Sequence, residues 1–119
     1  MSLEARPAQS FATAAAEVVG ILGMHIVAIV GNVTDSKKVA AWIGDGIEPD
    51  PLTQERVRNA LEIALVLKQR RSNAVIQAWF QGGKELCKHQ APAVILALES
   101  PEAGRKIVLN AAYAELSPH

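Results

Sequence analysis

The sequence predicts an all-α protein, with an N-terminal helix-turn-helix-like three-helix unit packed against a C-terminal helical domain. Three observations predict it. Apolar residues recur at three- and four-residue intervals along most of the chain. No segment sustains the alternation with β-branched residues that a half-buried strand needs. Glycines and prolines fall at the ends of the periodic segments, Gly20 and Gly104 excepted. Local preference and overall pattern therefore agree.

Each element can be justified in turn. Met1 to Gln9 read as a tail. Ser10 suits an N-cap, and Phe11 to Leu22 follow as a first helix with Ala14, Ala15, Val18, Val19 and Leu22 on one face. Gly23 ends it, as glycine does just past a helix. Met24 to Val30 form a short second helix whose apolar contacts are Ile26, Val27 and Val30. Gly31 and Asn32 supply a turn, because both tolerate positive φ. Thr34 or Asp35 caps a third helix from Ser36 to Ile43, which Asp45 and Gly46 stop. The segment Ile47 to Leu52, with Pro49 and Pro51, is the clearest linker and divides the chain into 1–50 and 51–119.

Thr53 is expected to cap the fourth helix, with Glu55 in its first turn and Lys68, Arg70 and Arg71 at its end, in the order the helix dipole favours. Val57, Ala60, Leu61, Ala64, Leu65 and Lys68 mark one face. Ile63, Val66 and Leu67 widen the apolar arc, so this helix is expected at the centre or at a dimer surface. Ser72 caps a fifth helix holding Val75, Trp79 and Phe80, ended by Gly82 and Gly83. A polar loop from Lys84 to Gln90 follows, with Leu86 as its one large apolar anchor. Pro92 starts a sixth helix that runs to Leu98. Ser100, Pro101 and Glu102 open a seventh, with Ile107, Val108, Ala111, Ala112 and Leu116 on its buried face.

Composition narrows the function. In 119 residues, one domain or two small lobes sharing a core is the expectation. Half the residues are hydrophobic but only 4% are aromatic, so aliphatic side chains must fill the core and disorder is excluded. Twelve basic and twelve acidic side chains balance to zero, which gives no general attraction for nucleic acid and favours association. A single cysteine, Cys87, rules out an internal disulfide and fits a reducing, cytoplasmic compartment. It reads as a structural, buried thiol. Glu4, Arg6 and Pro7 make a poor signal-peptide start. The apolar run from Ala14 to Val33 contains Glu17, His25, Asn32 and three glycines, so it reads as a buried helix pair and not a membrane span. His25 reads as a core histidine. No nucleophile, phosphate loop or metal-ligand spacing appears, so neither enzyme activity nor a metal or other cofactor is expected.

Two constellations carry chemistry. In the first, the second and third helices have the form of a helix-turn-helix, with Asn32 in the turn and Val39 and Trp42 inward. Thr34, Ser36, Lys37, Lys38 and Ala41 would then meet DNA. Lys37 and Lys38 suit phosphates, but no Arg, Gln or Asn in this helix offers base reading. A DNA reader and a plain three-helix packing unit are equally consistent with these residues. In the second, Trp79-Phe80, Gly82-Gly83, Leu86 and Ala91-Pro92 form a helix, a turn, an anchored loop and a new helix. This is either a recognition loop on a rigid scaffold or a simple anchored connection.

The order of these features resembles the Xre/MbcA/ParS antitoxins over roughly residues 11 to 116. Val39-Ala40-Ala41-Trp42, then Gly46 and a proline linker, is similar to their helix-turn-helix. Ala78-Trp79-Phe80, Leu86, Ala91-Pro92-Ala93-Val94-Ile95-Leu96 and Ile107-Val108-Leu109-Asn110-Ala111-Ala112 are similar to their toxin-binding domain. Gln81-Gly82-Gly83-Lys84 departs from the family's asparagine–proline turn. The resemblance implies an antitoxin that neutralises a RES-domain, NAD-consuming toxin by covering its active site. It also implies a homodimer that binds its own promoter DNA. By position it implies toxin contacts at Lys84, Glu85, Leu86, Lys88 and His89 in the loop, and at Tyr113, Leu116 and His119 at the end of the chain. The rival reading is a DNA-binding regulator without a toxin partner, a phage-derived one included.

Overall fold

A computed structural model describes residues 9–117, and over these the chain is all-α, as the periodicity predicts. The helices are α1 (Phe11–Leu22), α2 (Met24–Val30), α3 (Ser36–Gly44), α4 (Pro51–Lys68), α5 (Asn73–Gln81), α6 (Pro92–Leu98) and α7 (Pro101–Leu116). A 3-10 turn, Glu85–Cys87, lies between α5 and α6. Most of the expected tail, residues 1–8, lies outside the described residues, as does His119. Gln9 belongs to the fold: its side chain donates to Glu17 Oε1 at 2.9 Å and its carbonyl accepts from Arg58 Nη2 at 2.9 Å.

The helix ends follow from their caps. Ser10 Oγ accepts from Thr13 N, Ser72 Oγ from Val75 N and Ser100 Oγ from Ala103 N. Asp35, and not Thr34, caps α3, its Oδ1 accepting from Lys37 N at 2.8 Å. α4 begins three residues before the expected start. Pro51, which has no N–H to leave orphaned and a φ already suited to a helix, takes the first position. Asp50 is therefore the cap and Thr53 N its donor, at 2.8 Å.

Between α1 and α2 the axis bends by 120° at Gly23, whose φ is +87°. Among the described residues no single helix is long and apolar enough to cross a membrane. In the turn after α2 only Asn32 takes a positive φ, +55°. Gly31 is right-handed, contrary to expectation, and its role is spatial: a Cβ there would lie 2.9 Å from Trp42 Cη2. The indole thus seals the turn and stacks edge-on against Phe11, centroids 5.6 Å apart.

α4 is the central helix, in contact with α1, α2, α5, α6 and α7. It buries Val57, Ala60, Leu61, Ile63, Ala64 and Leu67. Leu65 and Lys68, expected on the core face, are exposed, because α1 and α7 flank the helix and draw its buried arc through Ile63 and Leu67 instead. Its polar side chains hold other elements. Arg56 Nη2 donates to Glu99 O and Asn59 Nδ2 to Pro101 O, both at 2.9 Å, fixing the corner between α6 and α7. Arg105 on α7 reaches back to Glu62 in a bidentate pair at 2.7 Å. The buried residues form one cluster drawing on both sides of residue 50, from Phe11, Val18 and Trp42 to Val57, Phe80, Leu96 and Val108. His25 is not in it: Ile26, Val27 and Val30 take the inward face of α2 and leave the imidazole exposed.

Candidate functional site

The loop after α5 is built by its backbone. Lys84 N donates to Gln90 O at 3.1 Å and His89 N to Lys84 O at 2.8 Å, closing a small antiparallel bridge. Inside it the chain turns through the 3-10 turn and two consecutive left-handed residues, Lys88 (φ +59°) and His89 (φ +65°). Gly83 is required by proximity, since a Cβ there would lie 2.8 Å from His89 O. The apolar anchor of this loop is Cys87, fully buried, and not Leu86, which is 50% exposed. Within the 3-10 turn only one of the two neighbours can point inward, and the smaller thiol fits the space. Burial pushes the Cys87 thiol up from its ordinary value, so it stays protonated and unreactive.

Lys84 folds back over α5. Its ammonium lies 5.7 Å from the Trp79 ring centroid and donates to Gly82 O at 3.0 Å. Trp79 in turn packs edge-on against the buried Phe80, centroids 5.3 Å apart. Across from it runs the last turn of α7. Arg71, in the link between α4 and α5, clamps that turn: Nε lies 3.3 Å from Glu115 Oε2 and Nη2 donates to Glu115 O at 2.9 Å. Together these elements enclose a groove of about 430 Å³.

The groove joins segments that the sequence keeps apart. Lys84, Glu85 and Leu86 line it from the loop, Ala111, Ala114 and Glu115 from α7, and Ser117 from just past its end. Tyr113 is 56% exposed near the same end of α7 but lies outside the groove lining, and Leu116 is partly buried and packs on the core. Lys88 lies outside the groove lining and pairs with Glu99 at 3.6 Å. His89 is exposed and also outside it. His119 lies outside the described residues. Arg71 and Glu115 belong to the site and were not anticipated. Arg71 reads in sequence as one of several cations at the end of α4, and nothing local reveals that its partner lies forty-four residues away.

Outside the groove, Thr34, Ser36, Lys37 and Lys38 are exposed around the start of α3, and Ala41 is half-buried. Val39 and Trp42 are buried, as the periodicity predicts. The Asp35 carboxylate occupies the helix N-terminus as its cap, and Asp45, Glu48 and Asp50 are exposed beyond its far end. Positive charge here is local and closely bordered by negative charge. Among the described residues no three His, Cys, Asp or Glu side chains converge as metal ligands would.

The fold and groove define a class, a small all-helical chain with a central α4 and an open cleft between a capped loop and the end of its last helix. No family model matches the chain, and no curated protein does. A solved structure does. A chain in the crystal structure of the M. tuberculosis MbcT–MbcA toxin–antitoxin complex aligns over 93% of this chain and 100% of that one, with a TM-score of 0.68 and 16% sequence identity. Over that 93% the two chains share a fold.

Proposed function

We propose that this chain is the antitoxin of a type II toxin–antitoxin system, which neutralises a RES-domain, NAD-consuming toxin by direct binding. The observation that carries the reading is the likeness in fold to a chain of the MbcT–MbcA complex over 93% of the present sequence. The groove supports it, because it gathers the loop and the end of α7 into one surface that carries the exposed Leu86. The chain acts by covering the toxin and carries out no chemistry of its own.

The test is co-expression with a RES-domain protein encoded beside it. The wild-type chain restores growth, keeps cellular NAD at its normal level and co-purifies with the toxin. Leu86→Asp and a deletion of Ser117 to His119 each weaken rescue. A toxin that kills regardless of the wild-type chain refutes the proposal.

Binding to its own promoter through Thr34, Ser36, Lys37, Lys38 and Ala41, as a homodimer, is the second half of the proposal. The exposure of Lys37 and Lys38 favours it, and equally favours a regulator that has no toxin. Gel shifts on the promoter, with and without the toxin, separate the two. Each lysine that contacts phosphate lowers the salt dependence of binding by about one unit of slope when replaced by alanine.

A further inference from the structure

We propose that the groove recognises an acidic side chain with an apolar neighbour on the toxin, the Lys84 ammonium receiving the carboxylate and Leu86 the apolar group. This rests on the antitoxin reading above and names the chemistry of the segment that docks. Lys84 is a fixed cation, held over Trp79 at 5.7 Å and donating to Gly82 O at 3.0 Å. An ammonium has three donors, so others remain for a ligand. Among the described residues the ion pairs are Arg71–Glu115, Lys88–Glu99 and Arg105–Glu62, and Lys84 is in none of them. The other groove cation, Arg71, is spent on Glu115 and the Arg70 carbonyl. Glu85 also lines the groove, but it is exposed and holds no side-chain hydrogen bond among the described residues, so it can turn to water.

Charge complementarity then selects the occupant. A basic segment meets Lys84 with like charge, and a wholly apolar one strips the ammonium of water with nothing returned. A nucleic acid strand brings a run of phosphates to a groove that offers one unpaired ammonium, on a chain with no net positive charge. A carboxylate beside an apolar side chain satisfies Lys84 and buries Leu86, which is half exposed in the free chain.

The test measures toxin affinity by calorimetry at low and high salt. Lys84→Glu weakens binding about 30-fold or more at low salt, and less at high salt. Lys84→Arg binds within about 3-fold of wild type, because the charge is kept. Lys106→Glu, the same charge change on an exposed part of α7 outside the groove, has little effect. Replacing one acidic residue of the toxin by lysine restores the affinity of Lys84→Glu. Circular dichroism confirms that each variant is folded. Wild-type affinity in a folded Lys84→Glu chain overturns this inference and leaves the antitoxin reading standing, as does an equal loss in Lys106→Glu. A wild-type chain that forms no complex overturns both.

Discussion

Replacing Gly83 by alanine tests whether the loop is as closely built as it looks. The added Cβ would lie 2.8 Å from His89 O and 3.6 Å from His89 C. His89 O is backbone, and His89 is held by its own N–H to Lys84 O at 2.8 Å, while Lys84 N is bonded to Gln90 O at 3.1 Å. No flexible side chain can yield, so the bridge must open or the loop must bear the contact. Opening loses two backbone hydrogen bonds, each a net contribution of about 0.5–1.5 kcal/mol. Bearing the contact costs about 1–3 kcal/mol of overpacking. Both routes give about 1–3 kcal/mol. For a chain of this length, about 4 °C in Tm accompanies each kcal/mol, so the melting temperature falls by about 4–12 °C. Gly20→Ala is the control. It sits within α1 with no atom within 4 Å of its Cβ, so alanine there gains up to about 1 kcal/mol of helix preference and raises Tm. Thermal unfolding by circular dichroism reads both. A Gly83→Ala chain melting with the wild type would refute the account of the loop, and with it the placement of Lys84 over Trp79.

Three other outcomes are expected. Arg71→Ala removes two hydrogen bonds to the end of α7 whose side chains are 30% and 36% exposed, so the loss is about 1–2 kcal/mol after discounting for solvent. Hydrogen exchange then speeds up selectively in the last turn of α7, and uniform exchange along the helix would count against the clamp. The Cys87 thiol is alkylated no faster than the chain opens, and rapid labelling of the native protein at mildly alkaline pH would contradict its burial. Hydrogen bonds from Thr53 hold the Asp50 carboxyl below its ordinary value. Its contribution is therefore present above the ordinary carboxylate pKa and is lost as pH falls through the lowered one. Asp50→Asn keeps the cap and removes the proton uptake, so Tm changes little near neutrality and the acid limb of its pH profile becomes shallower.

How far these features were legible depended on the range of the interaction. Helix positions were readable because caps act within three residues, as Ser10, Ser72 and Ser100 do. The start of α4 was misplaced because two capping residues compete there, and the choice of Asp50 over Thr53 turns on Pro51. Leu86 and Cys87 were exchanged as anchor because a single 3-10 turn has no periodicity from which an inward face can be read. His25 was misassigned by its apolar neighbours, although its own position on α2 faces water. The loop half of the groove could be anticipated from Trp79 to Pro92. Its other wall could not, since Arg71 and Glu115 meet only once α4 and α7 are packed together.

The stretch between α3 and α4 has a consequence of its own. Residues 45–48 are exposed and belong to no helix, yet the helices on either side of them share one buried cluster. The peptide links there supply connectivity and little cohesion. A chain cleaved in this stretch would remain a single particle, its two pieces parting only when the core itself melts. Made separately, the pieces would find each other through α1 and α4, and the protein would serve as its own fragment-complementation pair.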